Sequence, residues 1–377
     1  MTAPLSQFVL KVHSRCDLAC DHCYVYEAAD SGWRNQPRSM AEDTVRTAAR
    51  RIAEHARRHG LPAVNIVLHG GEPLLVRVDG MRRILDQLKA EIEPVTALEL
   101  ALQTNGVLLD ESFCELFVEY GVKVGVSLDG GRVANDRHRR FPHGGGSYDH
   151  VVRGLAVLGR PAYREAFAGL LCTIDVANEP GQVLEDLAAL EPPAIDLLLP
   201  HATWDAPPPA ARAGATPYGD WLVEAFDHWY AWPPGIRVRL FEETIHALLG
   251  GMSRSEVVGL SSVAFAVIET DGSIEQTDAL KIAYEGAAAT GYTVFADALD
   301  DVLRHPAVAA RQAGAASLCA QCRACPLLSA CGGGQYPHRY SPERGFDNPS
   351  VYCADLTRFI SHVQRRVASD VAELVAG

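Results

Sequence analysis

Residues 63–73, AVNIVLHGGEP, join an apolar run of buried-strand length to a polar, glycine-rich turn. The same junction recurs along the chain. FVLKVH (8–13) leads into CDLACDHC, LELALQ (98–103) into TNG, VKVGVS (122–127) into LDGG and AIDLLL (194–199) into PHATWD, with AFAGLLCT (166–173) between. Helical segments separate these runs: 41–58 behind a Ser39–Glu42 capping box, about 79–92, one that Asp110 caps and Gly121 stops, Ser147 to Leu158, and one near 180–190. Six strand–helix alternations predict an α/β fold with a parallel sheet, as an open doubly wound sheet or an incomplete barrel. In either form ligands gather at the C-terminal strand ends, where the unusual sequences fall.

The character changes after residue 205. DAPPPAARAGATP (205–217) reads as a proline-rich linker, WLVEAFDHWYAW (221–232) as an aromatic helix, and VAFAVIETDGSIEQTDALK (263–281) as a hairpin before the thiol-rich CAQCRACPLLSAC (319–331). A domain boundary is expected between 205 and 255. The net charge of -13, with lysine only at 11, 89, 123 and 281, argues against nucleic-acid or anionic-membrane partners. The N-terminal MTAPLSQFVLKVHSR lacks a signal-peptide pattern, which predicts a reducing cytoplasmic location and thiols or metal ligands rather than disulfides.

Cys16, Cys20 and Cys23 stand four and three residues apart directly after the first strand. Thiolates at this spacing can each bind one iron of an iron–sulfur cube. Three ligands for four irons leave one iron open to a substrate or cofactor. A zinc site and incidental buried thiols are the alternatives on spacing alone.

The C-x3-C-x2-C pattern followed by GGEP after the second strand resembles the radical S-adenosylmethionine (radical SAM) superfamily. The resemblance implies a partial (β/α)6 barrel over residues 1–235, with a linker at 205–220. It implies a 4Fe–4S cluster on Cys16, Cys20 and Cys23 and S-adenosylmethionine held by Gly70, Gly71, Glu72 and Pro73. Tyr24, Asn105, Ser127 and Asp129 are implied as further cofactor contacts, along with His22, which stands where the family has an aromatic residue. Helix caps and turns are the alternative roles for the strand-end residues, and Asp136 and Arg139 read equally as a solvated charge run.

Residues 236–377 resemble the SPASM extension of radical SAM peptide-modifying enzymes. Cys322, Cys325, Cys331 and Cys353 match the ligands of one auxiliary 4Fe–4S cluster, with zinc as the rival metal. The inner auxiliary cluster of that extension has no match, because Ser261 and Ser262, Thr277 and Gln335 replace its thiols. Cys319 is a spare thiol or an alternative ligand, and Cys114 and Cys172 read as core residues. Asp278 stands where such enzymes carry a catalytic base; its other reading is a salt bridge to Lys281.

Several stretches, including CDLACDHCYVYE, LLLPHATWD and GGGQYPHRY, resemble FxsB-type maturases, with similarity from residue 8 to about 360. That resemblance implies a 5′-deoxyadenosyl radical and a cyclophane crosslink in a precursor peptide, between an aromatic ring and the β-carbon of a nearby residue. It also implies an external electron donor of flavodoxin or ferredoxin type. No leader-binding domain is evident before the first strand. Thioether formation, epimerisation and sulfatase-type maturation are alternative peptide reactions, and a non-catalytic metal-binding protein is the alternative of a different class.

Overall fold

Strand β1 (Gln7–His13) sets the pattern of the molecule. Phe8, Leu10 and Val12 are fully buried on one face, while Lys11 is buried on the other. The alternation continues through β2 (Ala63–Gly70), β3 (Ala97–Thr104), β4 (Lys123–Ser127), β5 (Phe167–Thr173) and β6 (Ala194–Leu198). Val64, Ile66, Leu68, Leu100, Leu102, Val124, Val126 and Leu170 form the apolar core, whereas His69, Gln103, Ser127 and Thr173 line a cavity on the opposite face. Successive residues of a strand point to opposite faces, so one face makes the core and the other a polar interior.

The computed structural model describes residues 3–209, 215–232, 235–253 and 255–376; residues 210–214 of the proline-rich stretch lie outside it. Strands β1 to β6 lie side by side in sequence order, all parallel. The intervening helices are α1 (Glu42–His59), α2 (Arg77–Ile92), α3 (Glu111–Tyr120), α4 (Arg132–His138), α5 (Tyr148–Leu158) and α6 (Pro180–Ala188). In α1, Val45, Ala48, Ala49, Ile52 and Ala56 supply the buried stripe of helical period. Asp110 accepts the Phe113 N–H and Gly121 ends α3 in the left-handed conformation (φ 70°), as expected. The Ser39–Glu42 capping box is not formed: Ala41 precedes α1 without a side-chain cap, because Ser39 is drawn into a bridge with His13. Ser147 likewise precedes α5 without capping it, since its hydroxyl donates to the Arg139 carbonyl.

Helix α7 (Pro217–Tyr230) is followed by β7 (Arg237–Val238), parallel to β6, and by α8 (Arg239–Leu248). The expected hairpin is β8 (Phe265–Ile268) with β9 (Ser273–Glu275), continued by β10 (Ala289–Thr293). Strand β8 pairs in parallel with β1, so the sheet runs β10-β9-β8-β1-β2-β3-β4-β5-β6-β7 without its edges meeting. Short helices α9 (Leu299–Arg304) and α10 (Pro306–Gln312) lead to α11 (Ala320–Arg323) and α12 (Leu328–Cys331), which with the turn between them carry Cys322, Cys325 and Cys331. Helix α13 (Cys353–Ala376) then returns to pack on α7. Among the described residues no helix is long and apolar enough to cross a membrane.

Pairing β8 with β1 brings the hairpin base against Lys11. The Lys11 ammonium lies 2.6 Å from Asp278, and Lys281 lies 2.7 Å from Glu269 and 3.0 Å from Glu275. Lys281 therefore pairs with the two glutamates, and Asp278 takes Lys11 from β1, the strand next to β8. Burial acts to raise the Asp278 pKa, but Lys11, then Lys281 and His69, hold it well below the usual carboxylate range. The Lys11→Met substitution leaves Asp278 buried without its partner and is expected to destabilise the fold by about 3–5 kcal/mol. A Lys11→Met/Asp278→Leu double variant should regain most of that loss. Urea unfolding of both checks the expectation; an unchanged midpoint for Lys11→Met would show that the pair does not hold the hairpin.

Candidate active site

The loop after β1 is held from both sides by protein contacts. Ser14 donates its N–H to the Arg38 carbonyl and its hydroxyl to Pro37, while Arg15 donates to the Ser14 and Trp33 carbonyls. Tyr26 closes the loop by donating to the Ser14 carbonyl at 3.1 Å. Opposite it, the end of β2 continues the parallel ladder past the strand: the Gly71 N–H meets the His13 carbonyl (2.8 Å) and the Glu72 N–H the Arg15 carbonyl (3.0 Å). A Cβ on Gly70 would collide with the His13 carbonyl, and one on Gly71 would stand 2.6 Å from the Arg15 carbonyl group and overlap the Tyr26 hydroxyl. Both positions must be glycine for the cysteine loop to lie against the strand end.

Cys16, Cys20 and Cys23 line one cavity of about 190 Å³ together with His22, Tyr24, Gly70, Gly71, Asn105 and Ser127. Nine residues expected from the sequence thus meet in one place. Asn105 points its amide at Asp17 (2.8 Å) and at the Cys16 sulfur (3.7 Å). Burial leaves His22 neutral, with its pKa lowered to about 4. Burial also raises the three thiols, Cys20 to about 11, so each must give up a proton when a metal binds.

Glu72, Pro73 and Asp129 are not among the lining residues. Glu72, wholly buried, accepts from the Leu74 N–H, the Thr104 hydroxyl and the Asn105 N–H at 2.7–2.9 Å, which locks the ends of β2 and β3 together. Burial pushes its carboxyl up to about 7 despite these donors. Pro73 opens the single helical turn that follows. Asp129 accepts twice from Arg139 (2.7 and 3.1 Å) and once from the Thr173 N–H (2.8 Å), and it is Arg139 that reaches the cavity. Asp136 accepts the Tyr148 N–H and turns away from the site. His69, Gln103, Thr173 and His201 also line it; His69 and His201 lie in the HGGEP and LLLPHATWD stretches, while Gln103 and Thr173 stand in no motif. His201 stacks edge-on against Tyr24 (4.7 Å), and burial lowers both His69 and His201 to about 4. Asp278 is not on the cavity wall, but its charge is felt by His69, Tyr24 and His201, which are.

The second thiol group forms its own cavity of about 40 Å³, lined by Cys322, Cys325, Cys331 and Cys353 with Leu327 and Leu328. Cys319 is buried beside it and is not in the lining. Among the described residues, no cysteine belongs to a set of three potential ligands whose atoms all lie within 4.8 Å of one another. Four thiolates lining one small cavity could hold a zinc ion or an iron–sulfur cube. Cys114 and Cys172 are buried in the core, away from both groups.

Residues 10–166 match the Radical SAM superfamily. Among curated proteins, a serine-type anaerobic sulfatase-maturating enzyme of Bacteroides thetaiotaomicron is 31% identical over 155 residues, 41% of this chain and 36% of that enzyme. The chain thus aligns with little more than a third of that relative's length. A cysteine-type anaerobic sulfatase-maturating enzyme of Clostridium novyi is 25% identical over 289 residues, 73% of each chain. Among solved structures, native anSMEcpe with bound AdoMet superposes with a TM-score of 0.83 at 18% identity, covering 98% of this chain and 99% of that one. Streptococcus suis SuiB bound to precursor peptide SuiA gives a TM-score of 0.61 at 15% identity, covering 94% and 76%. The last two are likenesses of fold. The likeness to the Radical SAM superfamily, whose members use S-adenosylmethionine and a 4Fe–4S cluster, is thus carried by residues 10–166, less than half of the chain.

Proposed function

We propose that this chain is a radical SAM maturase that joins an aromatic ring to the β-carbon of a nearby residue in a ribosomally made precursor peptide. What supports the reading above all is the one cavity in which Cys16, Cys20 and Cys23 face Gly70, Gly71, Asn105 and Ser127 at the C-terminal strand edge. In this reading the three cysteines hold the first cluster, the glycine backbone and Asn105 hold S-adenosylmethionine, and Cys322, Cys325, Cys331 and Cys353 hold one auxiliary cluster. When bound, the first cluster with its cofactor supplies a hydrogen-abstracting radical, and the auxiliary cluster an electron sink. An external donor of flavodoxin or ferredoxin type provides the reducing electron.

In the balanced reaction the β-carbon loses a hydrogen atom and the ring loses a proton and an electron. One carbon–carbon bond replaces two carbon–hydrogen bonds. Asp278 is assigned the proton. Lys11 keeps it ionised, and its Oδ1 is buried without a hydrogen-bond donor among the described residues. Low basicity suffices, because a ring that has gained a substituent and lost an electron is a strong acid. His69, Tyr24 and His201 of the cavity wall all feel the Asp278 charge, which supports its acting on a group bound there. The neutral state of both imidazoles keeps the cavity from carrying extra positive charge.

Sulfatase-type maturation is the second reading, supported by the similarity to the Clostridium novyi enzyme over 73% of each chain. Both reactions remove two hydrogens from a serine-containing peptide, so mass alone does not separate them. A peptide with aromatic–x–Ser/Asn/Arg units is expected to lose two hydrogens, stay inert to hydrazide and show a new ring–β-carbon bond by NMR. A hydrazide-reactive aldehyde would sink the crosslink in favour of oxidation. The Asp278→Asn variant should still cleave S-adenosylmethionine reductively while its product rate falls about a hundredfold or more.

Metal analysis after anaerobic reconstitution tests the cluster assignment separately. About eight irons per chain are expected, falling to about four when Cys16, Cys20 and Cys23 are all replaced by alanine. Zinc in place of iron, unchanged in that variant, would end the radical reading.

A further inference from the structure

A third cavity, of about 50 Å³, lies next to the second thiol group, through Leu318 beside Cys319 and Gly332 beside Cys331, and is lined also by Glu256, Ser261, Arg311, Ser317, Tyr336 and Arg339. No cysteine lines it among the described residues. Ser261 stands at one of the positions where the SPASM resemblance expects a thiol, and Gln335, another such position, lies between the lining residues Gly334 and Tyr336.

Arg311 is 6% exposed, and its hydrogen bonding is incomplete. Nη2 donates to Glu256 at 2.8 Å, but Nε and Nη1 are buried and find no acceptor among the described residues. The Phe265 and Tyr336 rings lie 5.4 and 6.0 Å from its guanidinium carbon. A ring beside a guanidinium does not take the place of an oxygen acceptor for its in-plane N–H groups. Arg339, also buried, spends Nε and Nη2 on the carbonyls of Gly333, Gly332 and Gly334. Of the two guanidiniums only that of Arg311 meets a carboxylate among the described residues, Glu256, which is itself partly exposed. A buried charged donor without an acceptor is among the most costly groups a fold can carry, and native structures seldom leave one unmatched.

We propose that this cavity is an anion site that takes one small oxyanion, a carboxylate or a phosphate, on the N–H groups of Arg311 that the protein leaves unmatched. Arg339 adds positive charge to the same cavity, while the Ser261 and Ser317 hydroxyls on its wall already donate to the Ser253 and Gly314 carbonyls, so Arg311 supplies the free donors. The volume suits one such group and no larger ligand. A water molecule would fit as well, but it would leave the excess positive charge uncompensated.

Equilibrium dialysis of the anaerobically reconstituted protein against labelled inorganic phosphate and, separately, labelled acetate tests the proposal, with chloride holding ionic strength constant. Saturable binding of a single equivalent of one probe is expected. Phosphate alone would mark a site for a tetrahedral oxyanion, and acetate alone a site for a carboxylate such as a peptide provides. Arg311→Gln should weaken binding about tenfold or more, as loss of a charge-assisted hydrogen bond does. Glu256→Gln removes the competing carboxylate from a half-exposed position and should tighten binding, which keeps the test decisive if Arg311→Gln does not fold. Absence of saturable binding of either probe, or binding that neither substitution changes, would overturn the proposal.

Discussion

The ladder between β1 and β2 does not stop where the strands stop, and the site depends on that. Two further hydrogen bonds, Gly71 to His13 and Glu72 to Arg15, carry it into the cysteine loop. They require backbones closer than any side chain allows, which is why glycines stand at 70 and 71. Glu72 then ties the end of β2 to the end of β3 through Thr104 and Asn105, and Asn105 reaches back to Asp17 and Cys16. One set of contacts thus orders the loop, three strand ends and an amide at the first thiol. Preorganisation of this kind lowers the entropy that a bound cluster and cofactor must offset.

The same sheet has to tolerate a polar interior. Lys11, His69, Gln103, Ser127 and Thr173 occupy strand positions that would be apolar in a filled barrel, and each charge among them needs a local answer. For Lys11 the answer comes from 267 residues away along the chain, where Asp278 follows the β8–β9 hairpin. The C-terminal region is therefore more than an appendage bearing thiols. It extends the sheet by three strands beside β1 and neutralises a charge within the interior of the first six.

Much of this could be read from the sequence, for identifiable reasons. Six strands, their order of use and the clustering of CDLACDHC, HGGEP, TNG and LDGG at one edge follow from apolar runs and breakers, because period and punctuation are local properties. The Asp110 and Gly121 caps were legible for the same reason. The capping box at Ser39 was not, since its serine is claimed by a strand that is adjacent only in space. Lys281 is the nearest cation to Asp278 in sequence, yet Lys11 is its partner, which the β8–β1 pairing decides. His69, Gln103 and Thr173 carried a usable signal, since each follows a buried apolar residue on its strand and so faces the other way, with His69 opposite Lys11. Arg311 carried none, because an arginine in a short alanine-rich helix looks like a surface residue until the chain folds around it.

A radical-generating domain fixes where a hydrogen atom can be taken, and the likeness of fold to anSMEcpe and SuiB concerns that scaffold. Crosslinking and side-chain oxidation then differ mainly in which group stands next to the carbon that has lost its hydrogen. If that neighbour is a ring, bond formation within one peptide is fast because the partners are already held together. A hydroxyl or thiol on the same carbon leads instead to a carbonyl or thiocarbonyl. Both outcomes release one electron and one proton, so both can use an ionised carboxylate that never changes state in the resting enzyme. Under the proposed reading, the Lys11–Asp278 pair supplies such a carboxylate, held in one form across the physiological pH range by a partner 2.6 Å away. The burden of specificity then falls on how the peptide is laid into the cavity, where His22, Tyr24, Arg139 and His201 are the side chains placed to meet it.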